Sequence, residues 1–150
     1  MRKLNRKKGL KFRLPTEAEW GYACRGGSEM AYYFGDSRKE LSRYAWYNGN
    51  TSAETHPVGR KKPNAWGLYD MTGNVFEWCQ DWYGRYFYQY SPTTDPTGPS
   101  SGTGRVLRGG SWFSSEERCR SAFRYGYNLD LKYANPGFRL VLEITEQDRQ

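Results

Sequence analysis

The spacing of apolar positions first predicts a helix near the start of the chain. In the segment LPTEAEWGYACRGG, apolar residues recur at helical spacing at Trp20, Ala23 and Cys24. Thr16 and Glu19 form a T-x-x-E capping box, and a glycine pair follows the last apolar position. The pattern therefore predicts a helix that starts at Thr16.

Apolar residues farther along predict strands separated by irregular chain. Residues 105–112, RVLRGGSW, and residues 137–144, GFRLVLEI, are rich in β-branched and aliphatic side chains and read as strands. Between residues 28 and 106, short aromatic pieces are divided by Gly, Asn, Pro and Ser, which is typical of turns.

The length of 150 residues predicts a single domain, residues 1–150. Residues 1–8 read as the end of a helix and residues 143–150 as a frayed tail. A helix tail at the start of the chain predicts that the domain begins upstream of this sequence.

Composition and charge narrow the classes of function. Aromatic residues make up 17% of the chain and glycine occurs 17 times, which suits a loop-rich fold with a core built from rings. The formal net charge is +7, partly from basic residues in the first 11 positions. Since no RNA-binding or helix-turn-helix pattern accompanies this charge, a solvated helix face is favoured and nucleic acid is not an expected partner.

The cysteine pattern argues against a zinc site and against a secreted disulfide framework. Cys24, Cys79 and Cys119 are widely spaced without a C-x-x-C pair, and the lone histidine is His56, so a zinc site is not expected. An odd number of cysteines argues against a secreted disulfide framework. With no apolar run of membrane-spanning length and no signal peptide, the sequence predicts a cytoplasmic protein with no membrane partner.

The stretch GLYDMTGNVFEWCQDW, residues 67–82, mixes aromatic rings with the polar side chains of Asp70, Asn74, Glu77 and Asp81. Burying an unpaired carboxylate is costly, so a partner must satisfy these oxygens inside an apolar setting.

Four segments in a fixed order identify a family. They are RLPTEAEWGYACRGG, GLYDMTGNVFEWCQDWY, RVLRGGSW and CRSAFR…GFRLVL, and together they resemble the formylglycine-generating enzyme, or sulfatase-modifying factor, family from Gly9 to Leu142. The resemblance implies an α+β, loop-rich, C-type-lectin-like fold of the formylglycine-generating-enzyme type. Relative to the family's usual pattern the N-terminal portion is missing here, and it is expected to be supplied by a partner chain, to be dispensable, or to have been cut from this sequence.

One feature of the family's catalytic members is incomplete in this sequence. The enzymes follow GGS-aromatic with two cysteines five residues apart, whose thiolates bind copper(I) and oxidise a substrate cysteine to formylglycine. These positions fall on Ser114 and Cys119. Copper is therefore not expected, and a non-catalytic member is predicted. If the chain were an enzyme, Cys119 would be the catalytic residue, activated by Arg118 and Arg120.

The resemblance also implies a calcium site in the stretch from 67 to 82. Its ligands would be Asp70, Gly73, Val75 and Glu77, with carboxylate and backbone carbonyl oxygens of the kind that Ca²⁺ prefers. The alternative is that Asp70 caps a turn and Glu77 pairs with an arginine such as Arg108.

The predicted function is a calcium-stabilised, non-catalytic domain that binds a protein or a small-molecule ligand on its C-terminal loops. The expected ligand-binding residues are Phe113, Ser114, Ser115, Tyr125, Tyr127, Asn128, Asp130, Tyr133 and Asn135. An ordinary surface loop is nearly as good an interpretation of this region.

Three alternatives stay open. The first alternative is a variable, ligand-display protein of a diversity-generating retroelement. In such proteins, adenine mutagenesis turns Asn codons into codons for Tyr, Asp, Ser or Leu but not Glu or Lys. The C-terminal loop region fits that rule if Glu116, Glu117 and Lys132 are template residues. The second alternative is a formylglycine-generating oxidase or other enzyme completed by a partner chain. The third is a structural subunit that completes a split domain.

Overall fold

The computed structural model describes Asn5, residues 11–128 and residues 136–144. The helix predicted from the capping box is α1, Glu17–Arg25. Thr16 Oγ1 accepts the Glu19 N–H, the Glu19 carboxylate accepts the Thr16 N–H, and Gly26 ends the helix at φ +53°. A short helix α2, Leu41–Tyr44, follows a 3₁₀ turn at Arg38–Glu40.

A four-stranded mixed sheet forms the centre of the fold. Its strands are β2, Phe76–Trp82; β3, Gly104–Arg108; β4, Tyr125–Asn128; and β5, Pro136–Gly137. Their order is β4-β3-β2-β5, antiparallel except that β5 runs parallel to β2. The register of β2 against β3 shifts between Trp78 and Trp82, which bends the sheet.

A two-stranded sheet joins the two ends of the described chain. Its strands are β1, Lys11–Arg13, and β6, Val141–Glu143, paired antiparallel. The continuous strand predicted over residues 137–144 is therefore wrong, because its two ends pair in different sheets. Asn5 is helical and exchanges two hydrogen bonds with the Phe12 backbone.

Aromatic rings make up much of the core, as the composition predicts, and sulfur-containing side chains pack among them. The main cluster packs α1 against β2 and β3 through Trp20, Cys24, Met71, Cys79 and Val106. A second cluster holds Tyr32, Leu41, Ala45 and Cys119, and a third holds Phe76, Leu107 and Tyr127.

Several aromatic side chains lie at the surface rather than in the core. Trp66 is exposed, and its ring packs edge-on against that of Tyr22 with 4.8 Å between centroids. Tyr86, Tyr88 and Tyr90 are also exposed, whereas the neighbouring Tyr83 and Phe87 are partly buried. Within the described part of the chain, no helix is long and apolar enough to cross a membrane.

A buried ion cluster fixes α1 to the sheet. Glu17, at the first turn of α1, accepts hydrogen bonds from Arg108 Nη1 at 2.9 Å and from Arg124 Nε and Nη2 at 2.6 Å each. Asp81 Oδ2 accepts the Glu17 N–H at 2.8 Å. Arg108 is therefore committed to Glu17, which matters for the partner of Glu77.

Candidate functional site

The turn after β3 builds the first candidate site. Gly109 and Gly110 have φ of +91° and +76°, a conformation that glycine adopts without strain. The next residues form a tight turn in which Ser114 N–H donates to the Ser111 carbonyl and Ser111 N–H donates to Ser114 Oγ, both at 2.9 Å. The Trp112 N–H donates to the Asn74 carbonyl at 2.8 Å and so ties this turn to the one before β2.

This turn and the end of the sheet enclose a cavity of about 180 Å³, here called the Ser114 cavity. Its apolar lining comes from Phe76, Leu107 and Tyr127, which are 6%, 1% and 6% exposed. Ser111 and Ser114 contribute a polar edge from the turn.

Exposed side chains form the rim of the Ser114 cavity. Phe113 is 67% exposed and Tyr125 is at the margin of exposure, stacked on Phe76 with 5.6 Å between ring centroids. The exposed Arg118 completes the rim. Tyr125 and Tyr127 reach the same cavity because alternate residues of a strand face the same side.

The structure thus brings together four of the predicted ligand-binding residues, Phe113, Ser114, Tyr125 and Tyr127. Ser115 instead precedes the 3₁₀ turn Glu116–Cys119, and the exposed Asn128 ends β4 opposite Gly104, so neither lines the cavity. The others, Asp130, Tyr133 and Asn135, lie outside the described residues.

Cys119 lies against the turn that leads to Ser111, where a Cβ on Gly110 would lie 3.1 Å from the Cys119 sulfur. Its thiol is fully buried in the cluster of Tyr32, Leu41 and Ala45, and it does not line the cavity. Burial raises the pKa of the Cys119 thiol to about 12, and the nearby Glu116 and Glu117 charges add to the effect. The thiol is therefore protonated at neutral pH, and the activation by Arg118 and Arg120 that the sequence suggested does not lower this pKa.

The turn before β2 builds the second candidate site. Asp70 and Asn74 have positive φ, 54° and 61°, and Gly73 has φ +77°. Asp70 Oδ2 accepts the Gly59 N–H at 2.7 Å, and Gly73 N–H donates to the Gly109 carbonyl at 2.8 Å. Asp70, Val75 and Glu77, three of the four predicted calcium ligands, line a cavity of about 390 Å³, the Asp70 cavity.

Glu77 is engaged by two donors from distant parts of the chain. Arg139 donates to both carboxylate oxygens, from Nε at 2.5 Å and from Nη2 at 2.7 Å, and Trp20 Nε1 donates at 2.7 Å. Glu77 is 6% exposed. The arginine partner that the sequence suggested, Arg108, is wrong, because Arg108 pairs with Glu17 on the helix side.

The side chains of this turn are of a kind that binds calcium, but one of them, Glu77, is already paired with the Arg139 guanidinium. Asp70 and Glu77 bring two carboxylates to the Asp70 cavity, and carboxylate oxygens are ligands that Ca²⁺ favours. Among the described residues no three His, Cys, Asp or Glu side chains cluster as metal ligands, so backbone carbonyls would have to complete the shell. The Arg139 guanidinium supplies one positive charge to Glu77 already.

Comparison with known proteins identifies the family. Residues 2–144 match the sequence profile of the sulfatase-modifying factor enzyme 1-like domain. The chain belongs to the sulfatase-modifying factor family. It is 42% identical to the formylglycine-generating enzyme of Streptomyces coelicolor over 142 residues, which are 85% of this chain and 45% of that enzyme.

Two solved structures share the fold of this family member. The first is Treponema denticola variable protein 1, 45% identical, with a TM-score of 0.77 over 86% of this chain and 46% of that one. The second is PvdO from Pseudomonas aeruginosa, 28% identical, with a TM-score of 0.84 over 95% of this chain and 57% of that one. The predicted α+β, C-type-lectin-like fold is confirmed, and the chain spans about half the length of these relatives.

Sequence reasoning missed three residues of the Ser114 cavity. The sequence pattern places Leu107 in a predicted strand, does not single out Phe76, and suggests Arg118 only as an activator of Cys119. The alternation of Phe76 and Glu77 along β2 carried part of the signal, since it separates the cavity face from the helix face.

Proposed function

We propose that this chain is a non-catalytic binding domain of the sulfatase-modifying factor family, with the Ser114 cavity as its ligand site. The observation that carries the proposal is that one of the two thiolate positions is a serine, Ser114, while the other, Cys119, is a buried thiol that does not line the cavity. The position that would hold the first thiolate is a serine at the cavity, and the remaining thiol is buried and protonated outside it. A single buried thiol does not form the two-sulfur copper site of the oxidase.

Screening small apolar and aromatic fragments by two-dimensional NMR tests the binding role. Fragments are expected to shift the amide resonances of Phe113, Tyr125 and Tyr127, because these residues meet at one cavity. Phe113→Ala should weaken the binding of those fragments. Phe138→Ala is the matched control, since Phe138 is 64% exposed and lines the Asp70 cavity instead.

A copper(I) titration against a chromogenic chelator tests the non-catalytic part. The chain is expected to leave the chelator's copper untouched and to form no aldehyde on a cysteine-containing peptide in air. Submicromolar copper binding that is lost in Cys119→Ala would overturn the proposal and favour an enzyme completed by a partner chain.

A variable, ligand-display role is the second candidate. The similarity to Treponema denticola variable protein 1 favours it, and four of the residues expected to be diversified line the Ser114 cavity. Sequencing the surrounding DNA tests this role. A template repeat that differs from the coding sequence only at adenines supports it, and a flanking region without such a repeat rejects it.

Calcium at the Asp70 cavity is the proposed structural cofactor, with Asp70, Gly73, Val75 and Glu77 as ligands. Its support is that Asp70, Val75 and Glu77 line one cavity, where the two carboxylates are available as hard oxygen donors. We expect elemental analysis to give one calcium ion per chain and thermal unfolding to shift upward with CaCl₂ relative to EDTA.

Asp70→Asn removes one ligand charge and should weaken calcium binding by about tenfold or more. Asp36→Asn is the control, because Asp36 accepts the Ala31 N–H in an exposed turn away from this cavity. If the unfolding temperature is the same in CaCl₂ and EDTA and no calcium is bound, the Glu77–Arg139 pair alone neutralises the site.

A further inference from the structure

The size of the Ser114 cavity limits what can enter it. Sites for drug-sized ligands enclose about 300–1,000 Å³, whereas this cavity encloses about 180 Å³. The volume suits one large side chain rather than a whole drug-sized molecule. The lining by Phe76, Leu107 and Tyr127 is apolar, so the group that enters must be apolar as well.

The rim extends the site beyond the cavity itself. Phe113 is largely exposed beside the opening, and its ring packs edge-on against Trp112 with 5.6 Å between centroids. Exposed aromatic rings around a small apolar cavity are typical of protein contact surfaces, in which one side chain is inserted and its neighbours cover the rim.

Arg118 gives this rim a positive charge. Its guanidinium takes part in no hydrogen bond, ion pair or ring contact with the part of the chain that the structure describes. The acidic side chains beside it are engaged elsewhere, since Glu117 pairs with Arg38 at 2.7 Å and Glu116 lies 3.9 Å from the same guanidinium. With a net charge of +7, the chain as a whole also attracts anionic partners.

We propose that the partner is a polypeptide that inserts one phenylalanine-sized side chain into the Ser114 cavity and places a neighbouring carboxylate on Arg118. This inference rests on the proposed binding function and names the chemistry of its ligand. An aromatic residue next to Asp or Glu, in an exposed segment of another protein, is the motif that the cavity recognises.

Capped dipeptides test the motif directly. Ac-Phe-Asp-NH₂ should bind about fivefold more tightly than Ac-Phe-Asn-NH₂, because an exposed carboxylate–guanidinium contact contributes on the order of 1 kcal/mol. Ac-Ala-Asp-NH₂ should not bind measurably, since it lacks the apolar group. Binding is measured from the amide shifts of Phe113, Tyr125 and Tyr127, at low salt and again at high salt, where the preference for Asp should shrink.

Two arginine variants isolate the charge. Arg118→Gln should bind the Asp and Asn dipeptides equally while keeping its affinity for the Asn form. Arg120→Gln removes the same charge from an exposed neighbour that does not line the cavity, and it should keep the preference. An unchanged preference in Arg118→Gln would overturn the assignment to Arg118.

The outcomes also separate this inference from the function on which it rests. If fragments shift the cavity amides but no dipeptide does, or if phenylpropionate binds as tightly as Ac-Phe-Asp-NH₂, the polypeptide partner is wrong and the binding function stands. If neither fragments nor dipeptides shift those amides, both proposals fail.

Discussion

Glu77 has partners that its local sequence does not reveal. Trp20 lies 57 positions before it and Arg139 lies 62 positions after it. Breaking a buried ion pair leaves an uncompensated charge, so the carboxylate and its arginine depend on each other. The sequence alone does not decide whether Arg108 or Arg139 pairs with Glu77, because tertiary packing and not spacing along the chain sets that pairing.

Gly73 provides a sharper test at the scale of one residue. It has φ +77°, and a Cβ there would lie 2.2 Å from the Trp46 carbonyl oxygen and 2.9 Å from the Trp46 carbonyl carbon. Because backbone atoms cannot yield as a flexible side chain does, Gly73→Ala should lower the free energy of unfolding by about 1–3 kcal/mol beyond the strain of the left-handed conformation. Urea unfolding in EDTA measures this without a contribution from calcium.

Gly59→Ala is the matched control for that prediction. Gly59 has φ +73°, but a Cβ there would meet no atom within 4 Å. The substitution should cost only the conformational strain, about 1–2 kcal/mol. Equal losses in the two variants would contradict the close approach of Gly73 to Trp46.

At the scale of elements, α1 is the part of the fold that the sequence predicts best. The signals that start and stop it are local, namely Thr16, Glu19 and Gly26. The strands are harder, because a strand's partner is set by distant residues. β5 and β6 follow each other closely, yet one pairs with β2 and the other with β1.

Thr16→Ala tests the capping box. The variant loses the hydrogen bond from the Glu19 N–H at 3.1 Å, and the free energy of unfolding should fall by about 1 kcal/mol. Thr16→Ser keeps the hydroxyl and should stay close to the parent. Chemical unfolding followed by circular dichroism measures both, and equal losses in the two variants would assign the effect to packing of the threonine methyl group.

At the scale of the whole molecule, all three thiols lie inside the fold. Burial raises the pKa of Cys24 to about 11 and that of Cys119 to about 12, and it raises the pKa of Cys79 further. The folded state therefore disfavours the thiolate, whereas an unfolded thiol ionises near pH 9.0. The raised thiol pKa values do not change the free energy of unfolding below pH 9, and they lower it progressively as the pH rises toward 11–12.

The resulting prediction concerns alkaline pH. Under reducing conditions, the free energy of unfolding should begin to fall above about pH 9, by up to about 1.4 kcal/mol per pH unit for each thiol. Urea titrations at pH 8, 9 and 10 measure the slope. At pH 8, iodoacetamide should label the thiols of the native protein no faster than the protein opens. Rapid labelling of Cys119 would show instead that its thiol is accessible in the folded state.

The sequence by itself determined the family, the capped helix and the aromatic core, because these depend on local spacing and on motifs in a fixed order. It also found four residues of the Ser114 cavity among nine candidates. Only the tertiary structure decided that Glu77 pairs with Arg139, that the Cys119 thiol is buried, and that the Arg118 guanidinium at the cavity has no ion-pair partner among the described residues. Ion pairing and burial depend on groups that come into contact only after the chain folds, and the local spacing of residues does not determine those contacts.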